Sequence, residues 1–198
     1  REAPPSGRSA SAVGERVGSD SGNVQDERLA QYVFRMLYTA EDIESTLDRL
    51  LGIIGRSYDV SRVYIFESSE DGARCSNTFE WCAEGVEPQI SRLQNLLYRE
   101  ELGDYIGNFD REGLYYCAEA SAAHPDVYAV LKGQNIRSML QCAILDEGRF
   151  AGYVGFDECR ENRRWSPGQV AAFQLTANVL SIFLLKLRQK QKLQKLAQ

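Results

Sequence analysis

The stretch Ser138–Pro167, SMLQCAILDEGRFAGYVGFDECRENRRWSP, decides the fold. Met139–Leu145 is apolar apart from Gln141, and Phe150–Phe156 carries no charge. Asp146-Glu147-Gly148-Arg149 lies between them, so the two runs read as a β-hairpin. Runs that are apolar at both parities suit strands covered on both faces, which makes this hairpin central to its sheet. Asp157–Arg164 then reads as a charged loop. Ser166-Pro167-Gly168-Gln169 opens a helix, with Ser166 as N-cap, Pro167 at the first helical position and Gln169 completing a capping box.

Outward from the hairpin, residues 1–24 are rich in Ser, Gly and Pro. They hold too few large apolar residues to offset ordering entropy and read as a disordered tail or linker. Residues 25–43 form a first helix, with Leu29, Val33, Phe34 and Leu37 at helical spacing. Thr39 and Asp42 suggest a capping box that restarts the chain as a second helix, with Ile43, Leu47, Leu50, Leu51 and Ile54 on one stripe. VSRVYIFE (60–67) is a strand, Glu70-Asp71-Gly72 a turn, and CSNTFEWC (75–82) the returning strand. Simple alternation puts Asn77, Phe79 and Trp81 on one face. Gln89–Tyr98 reads as a short helix, Arg99–Gly113 as irregular, and Leu114–Cys117 as a strand. Asp126 is expected to cap a helix that stops at Gly133. The last helix runs from Pro167 to about Leu196.

Helices at both ends and strands grouped in hairpins indicate an α+β domain on an antiparallel sheet. The terminal helices cover one face. Segment 83–137 covers the other and can enclose a pocket.

Composition narrows the function. With 28 acidic against 23 basic residues, nothing draws the chain as a whole to nucleic acid or to an anionic membrane. No apolar leader opens the sequence, and its most apolar window, Val179–Leu187, is short for a membrane span. The cysteines Cys75, Cys82, Cys117, Cys142 and Cys159 are odd in number and lack CxxC spacing; reduced thiols and a cytoplasmic location follow. With one histidine, no metal site is expected. The chain opens on Arg rather than Met, so it is expected to come from a longer protein.

Four pieces, VSRVYIFE, FEWCAEGVEP, IRSMLQCAILDEGRFAGYVGFD and RRWSPGQVAAFQLTANVLSIFL, resemble the GAF domains of bacterial signalling proteins. The resemblance covers about residues 44–186, with 187–198 as an exit coiled-coil helix. It implies a six-stranded antiparallel sheet of GAF/PAS-like type, a ligand pocket on one face and a dimer-forming helical bundle on the other. It also implies an output domain of histidine kinase or diguanylate cyclase type in the full-length chain. Bilin-binding members carry a ligating Cys, commonly followed by His; His124 here follows Ala123. The residue set of cyclic-nucleotide-binding members does not align. The cofactor is unknown.

Gln141 is the one strongly hydrogen-bonding side chain in an apolar strand, and a buried amide needs partners: a ligand, a water or backbone groups. Trp81 is either a pocket wall or a core aromatic. Together they are the leading ligand-contact candidates, with Met139, Tyr116 and Tyr153 as secondary ones. The expected function is sensory: the domain binds a small molecule or partner and signals through its terminal helices in a homodimer, without catalysing a reaction. One rival is a thiol enzyme resembling the free methionine sulfoxide reductases and using Cys82 or Cys117. The other is a ligand-free dimerisation scaffold. Phe173, Ala177, Leu180, Leu184 and Leu187 make a heptad seam that predicts a parallel dimer, and the basic run Lys186–Lys195 reads as the solvated face of that coiled coil.

Overall fold

The computed structural model describes residues 21–198, with side chains from Asp26 onward; of the expected tail over residues 1–24, residues 1–20 lie outside the described residues and 21–24 are helical rather than disordered. Helix α1 (Ser21–Tyr38) already includes residues ahead of Gln25, where the first helix was expected to begin. Helix α2 (Ile43–Tyr58) follows a break at 39–42. Its N-cap is Asp42, whose carboxylate accepts from the Ser45 N–H; the Thr39 hydroxyl instead donates back to the Arg35 carbonyl.

Six strands follow: β1 (Arg62–Ser68), β2 (Arg74–Cys82), β3 (Leu96–Leu97), β4 (Leu114–Cys117), β5 (Ser138–Asp146) and β6 (Arg149–Glu158). All pairings are antiparallel, in the order β3-β2-β1-β6-β5-β4, and the β5–β6 hairpin lies inside the sheet. Glu147 and Gly148 both have positive φ (49° and 79°), as a two-residue I′ turn requires.

Gln89–Tyr98 is not a helix. It holds a single 3₁₀ turn at Ile90–Arg92 and then the edge strand β3. Leu93 and Leu97 have helical spacing, but β3 pairs with Arg74 and Cys75 instead. Helix α3 (Pro125–Gly133) is capped by His124, whose Nδ1 accepts from the Asp126 N–H, with Pro125 at the first helical position. The exit helix α4 (Pro167–Leu196) has the expected Ser166–Gln169 capping box. Asp157 and Glu158 are buried strand residues rather than loop.

Helices α2 and α4 cover one sheet face, and α1 lies along α4. Phe34 meets Phe183, and Asp26 is near Tyr58, which packs on Phe173, so α1 and α4 run in the same direction. The core between helices and sheet holds Leu47, Leu50 and Ile54 of α2, Phe173, Ala177, Leu180 and Leu184 of α4, and Val63, Ile65, Val154 and Phe156 of the sheet. This corrects the expected dimer seam. Phe173, Ala177, Leu180 and Leu184 are at most 1% exposed within a single chain, because the sheet needs a cover and a heptad stripe fits it. By length and composition α4 is apolar enough to cross a membrane, yet here that stripe belongs to the core.

Strand β2 does not alternate simply. Ile65 pairs with Phe79 and Phe66 with Asn77, leaving Thr78 as an extra residue in a bulge. Phe79 therefore joins the helix-side core, while Asn77 shares the opposite face with Phe66 and Glu80 and lies within 3.4 Å of the Glu80 carboxylate.

Candidate functional site

The second sheet face carries Tyr64 and Phe66 of β1, Gln141 of β5 and Tyr153 of β6, alternate residues of strands whose other parity builds the helix-side core. Segment 93–109 and helix α3 lie over them, contributing Leu96, Leu102, Tyr105 and Leu131. The enclosed space is ≈ 30 Å³, enough for roughly one or two waters. Aromatic rings fill the rest: Phe66 stacks on Tyr153 at 4.8 Å and Tyr105 packs on Tyr153 at 5.4 Å.

A chain of buried hydrogen bonds crosses the floor. The Tyr105 hydroxyl donates to Gln141 Oε1 (2.6 Å), and Gln141 Nε2 donates to the Tyr64 hydroxyl (2.7 Å). That hydroxyl donates to Asp157 Oδ1 (2.7 Å), and Arg62 stands 3.5 Å from Asp157 Oδ2. The donors all point one way, ending on a carboxylate beside a guanidinium. Gln141 thus finds its partners in two tyrosine hydroxyls.

Gly155 makes this possible. It faces Gln141 across the β5–β6 pair, and a Cβ there would lie 2.8 Å from both Gln141 Cγ and Tyr64 Cε2. Burial pushes the Asp157 carboxyl up to about 7, although Arg62 and the Tyr64 hydroxyl favour its charged form. Burial also raises the Tyr64, Tyr105 and Tyr153 phenols well above their ordinary value. The Arg62 guanidinium also donates to the Gln134 carbonyl and to Cys159 Sγ, while its Nε is buried without a partner.

Of the expected contacts, the structure brings Gln141 and Tyr153 to the cavity. Met139 shares Gln141's face but is fully buried beside it, with Leu131 and Ile136. Trp81 lies on the opposite face, against α2: a Cβ on Gly55 would come within 2.1 Å of its ring. Tyr116 also points to the helix side, where its hydroxyl accepts from the Trp165 N–H and its ring packs on Trp165. Its neighbour Tyr115 is the β4 aromatic on the Tyr105 side, 5.9 Å away.

Tyr64, Tyr105, Asp157 and Arg62 are the site residues missed from sequence. Arg62, a charge placed directly before the apolar and aromatic run Val63–Phe66, is the available signal.

Burial pushes the Cys82 thiol up to about 12, helped by Glu80, and raises Cys117 as well. A thiolate nucleophile is disfavoured at both. Among the described residues no three His, Cys, Asp or Glu side chains converge as metal ligands.

The sequence profile of the GAF domain matches residues 42–184. The methanogenesis regulatory histidine kinase FilI of Methanothrix harundinacea is 33% identical over 140 residues, which cover 69% of this chain and 16% of the kinase. The chain thus spans about a sixth of the curated relative it matches. Among solved structures, the GAF domain of a phosphoenolpyruvate-protein phosphotransferase from Coxiella burnetii superposes with a TM-score of 0.69 at 16% identity, over 88% of this chain and 99% of that one. The chromophore-binding domain of a bacteriophytochrome from R. palustris gives 0.70 at 12% identity, over 87% and 64%. At such identities these two establish the fold alone.

Proposed function

The chain belongs to the GAF family, and from that premise we propose that it is the sensory module of a signal-transducing protein. The observation that carries this is the buried chain Tyr105–Gln141–Tyr64–Asp157, which ties the cover segment to the centre of the sheet. Tyr105 acts as a plug. A small ligand offering its own donor to Gln141 Oε1 replaces the tyrosine hydroxyl and lifts segment 93–109. The signal then passes along β1 to α4. Phe66 lines the cavity, and next to it Glu67 holds Arg188 of α4 in a two-pronged pair at 2.8 and 2.9 Å. Lys192 of α4 pairs with Glu70 on the following turn.

The homodimer belongs to this reading, on a different α4 face from the buried seam. Leu175, Val179, Ile182, Lys186, Gln189, Leu193 and Leu196 recur at alternating four- and three-residue spacing; Leu175, Ile182, Leu193 and Leu196 are 50–77% exposed. Exposed Phe34 and Tyr38 of α1 extend the apolar surface. A kinase-type output domain is inferred from the Methanothrix relative. Five free cysteines suit a reducing cytoplasm. The domain itself performs no chemistry in this reading.

The cavity's ≈ 30 Å³ favours a second reading, in which Tyr105 and Tyr153 fill the space permanently and the domain is a ligand-free scaffold. A thermal-shift screen of small metabolites separates the two, run on wild type and on Gln141→Leu. Sensing predicts a compound that stabilises wild type and leaves Gln141→Leu unmoved. No stabilising compound, or equal shifts in both proteins, supports the scaffold.

A further inference from the structure

A second depression lies outside the cavity just described, where the end of α3 and the turn into β5 meet the segment after β6. It is an open cleft of ≈ 550 Å³ whose lining includes Ser121, Tyr128, Lys132, Asn135, Arg137 and Arg160. No carboxylate lines it, in a chain whose net charge is −5.

The cations there are not equivalent. Arg160 is committed to Glu158 at 2.8 Å and to Asp59 at 3.3 Å, and Glu158 is further occupied by Arg163 at 3.3 Å. Lys132 and Arg137 have no acidic partner among the described residues. Both are exposed, and Arg137 spends only one long contact, 3.4 Å to the Arg160 carbonyl. The Lys132 ammonium sits 5.9 Å from the Tyr128 ring centroid, one helical turn earlier. The nearby Glu119 carboxylate accepts from the Ser121 hydroxyl. An ammonium, a largely free guanidinium fork and the amide or hydroxyl side chains of Tyr128, Asn135 and Asn162 around one concave space match the oxygens of a phosphate group.

We propose that this cleft binds a small phosphorylated metabolite, with phosphate oxygens held by Lys132 and Arg137 and the rest of the molecule lying against Tyr128. The proposal stands apart from the sensing cavity and survives that reading's failure. The two sites nevertheless share Ile136 as a wall, and Gln134, at the start of the same turn, accepts from the buried Arg62.

The test is calorimetric titration of the full chain with inorganic pyrophosphate at low salt. It compares wild type, Lys132→Gln with Arg137→Gln, and a charge-matched control, Lys190→Gln with Lys195→Gln. All four positions are exposed, and melting temperatures check that each protein is folded. Wild type and control should bind alike, weakening as salt rises, and the cleft variant should bind at least about tenfold more weakly. No binding by wild type overturns the proposal. So does equal loss in control and cleft variant, which means general surface charge is responsible.

Discussion

Gly155 carries the tightest requirement at the scale of single residues. Its missing Cβ leaves room for both Gln141 and the Tyr64 ring. Gly155→Ala should cost about 1–3 kcal/mol by overpacking, read as a lower urea midpoint. A midpoint equal to wild type would mean the two side chains can move aside freely. Asp157 makes a pH prediction. Its folded value of about 7 lies above the ordinary carboxyl value, so the folded chain holds a proton that the unfolded chain has released. This contribution to stability is complete below about pH 4 and is lost as pH rises through about 7. Glu158 works oppositely at lower pH. Burial alone would raise it, but hydrogen bonds from Arg160 hold it down at about 2, so its contribution is lost only as the medium becomes strongly acidic. Between pH 5 and 8 the Asp157 effect should therefore stand clear, and Asp157→Asn should flatten the fall in urea midpoint. An unchanged slope would assign the titration to another group.

The two faces of α4 can be told apart by mutation at the scale of elements. Leu184 is 1% exposed in the chain's own core, so Leu184→Ala should destabilise by about 2–5 kcal/mol whatever the oligomeric state. Ile182→Glu with Leu193→Glu places charges on the outer stripe and should yield folded monomers in sedimentation. A variant that stays dimeric would remove α4 from the interface. The heptad pattern alone did not reveal this division, because a stripe of spacing four and three packs as well on a sheet as on a second helix. The same kind of limit explains Trp81 and Tyr116. Strand existence was legible from apolar runs and turn residues. Which face a side chain takes depends on register, and a bulge such as that at Thr78 reverses parity without a local signal. Gln141 could be found because a lone amide in an apolar strand needs a partner. Its actual partners come from β1 and from segment 93–109, far away in sequence.

For the whole molecule, one layered path runs from cover segment to exit helix. Tyr105 closes the cavity, Gln141 and Tyr64 carry the contact into the sheet, and Glu67 grips Arg188 at the far side. The α+β layering was readable from the order of elements; this path was not, since it is made of contacts between residues distant along the chain. Beyond Leu187, α4 is held to the sheet domain by Arg188 and Lys192, so its last turns should respond to what β1 does. Hydrogen–deuterium exchange on wild type and Tyr105→Phe tests this most directly. The substitution removes one hydroxyl and leaves Gln141 Oε1 without its donor, a loss of about 1 kcal/mol or more. Exchange should quicken in segment 93–109 and, in step with it, over Lys186–Leu196. Faster exchange in segment 93–109 with Lys186–Leu196 unchanged would contradict a cavity coupled to the exit helix.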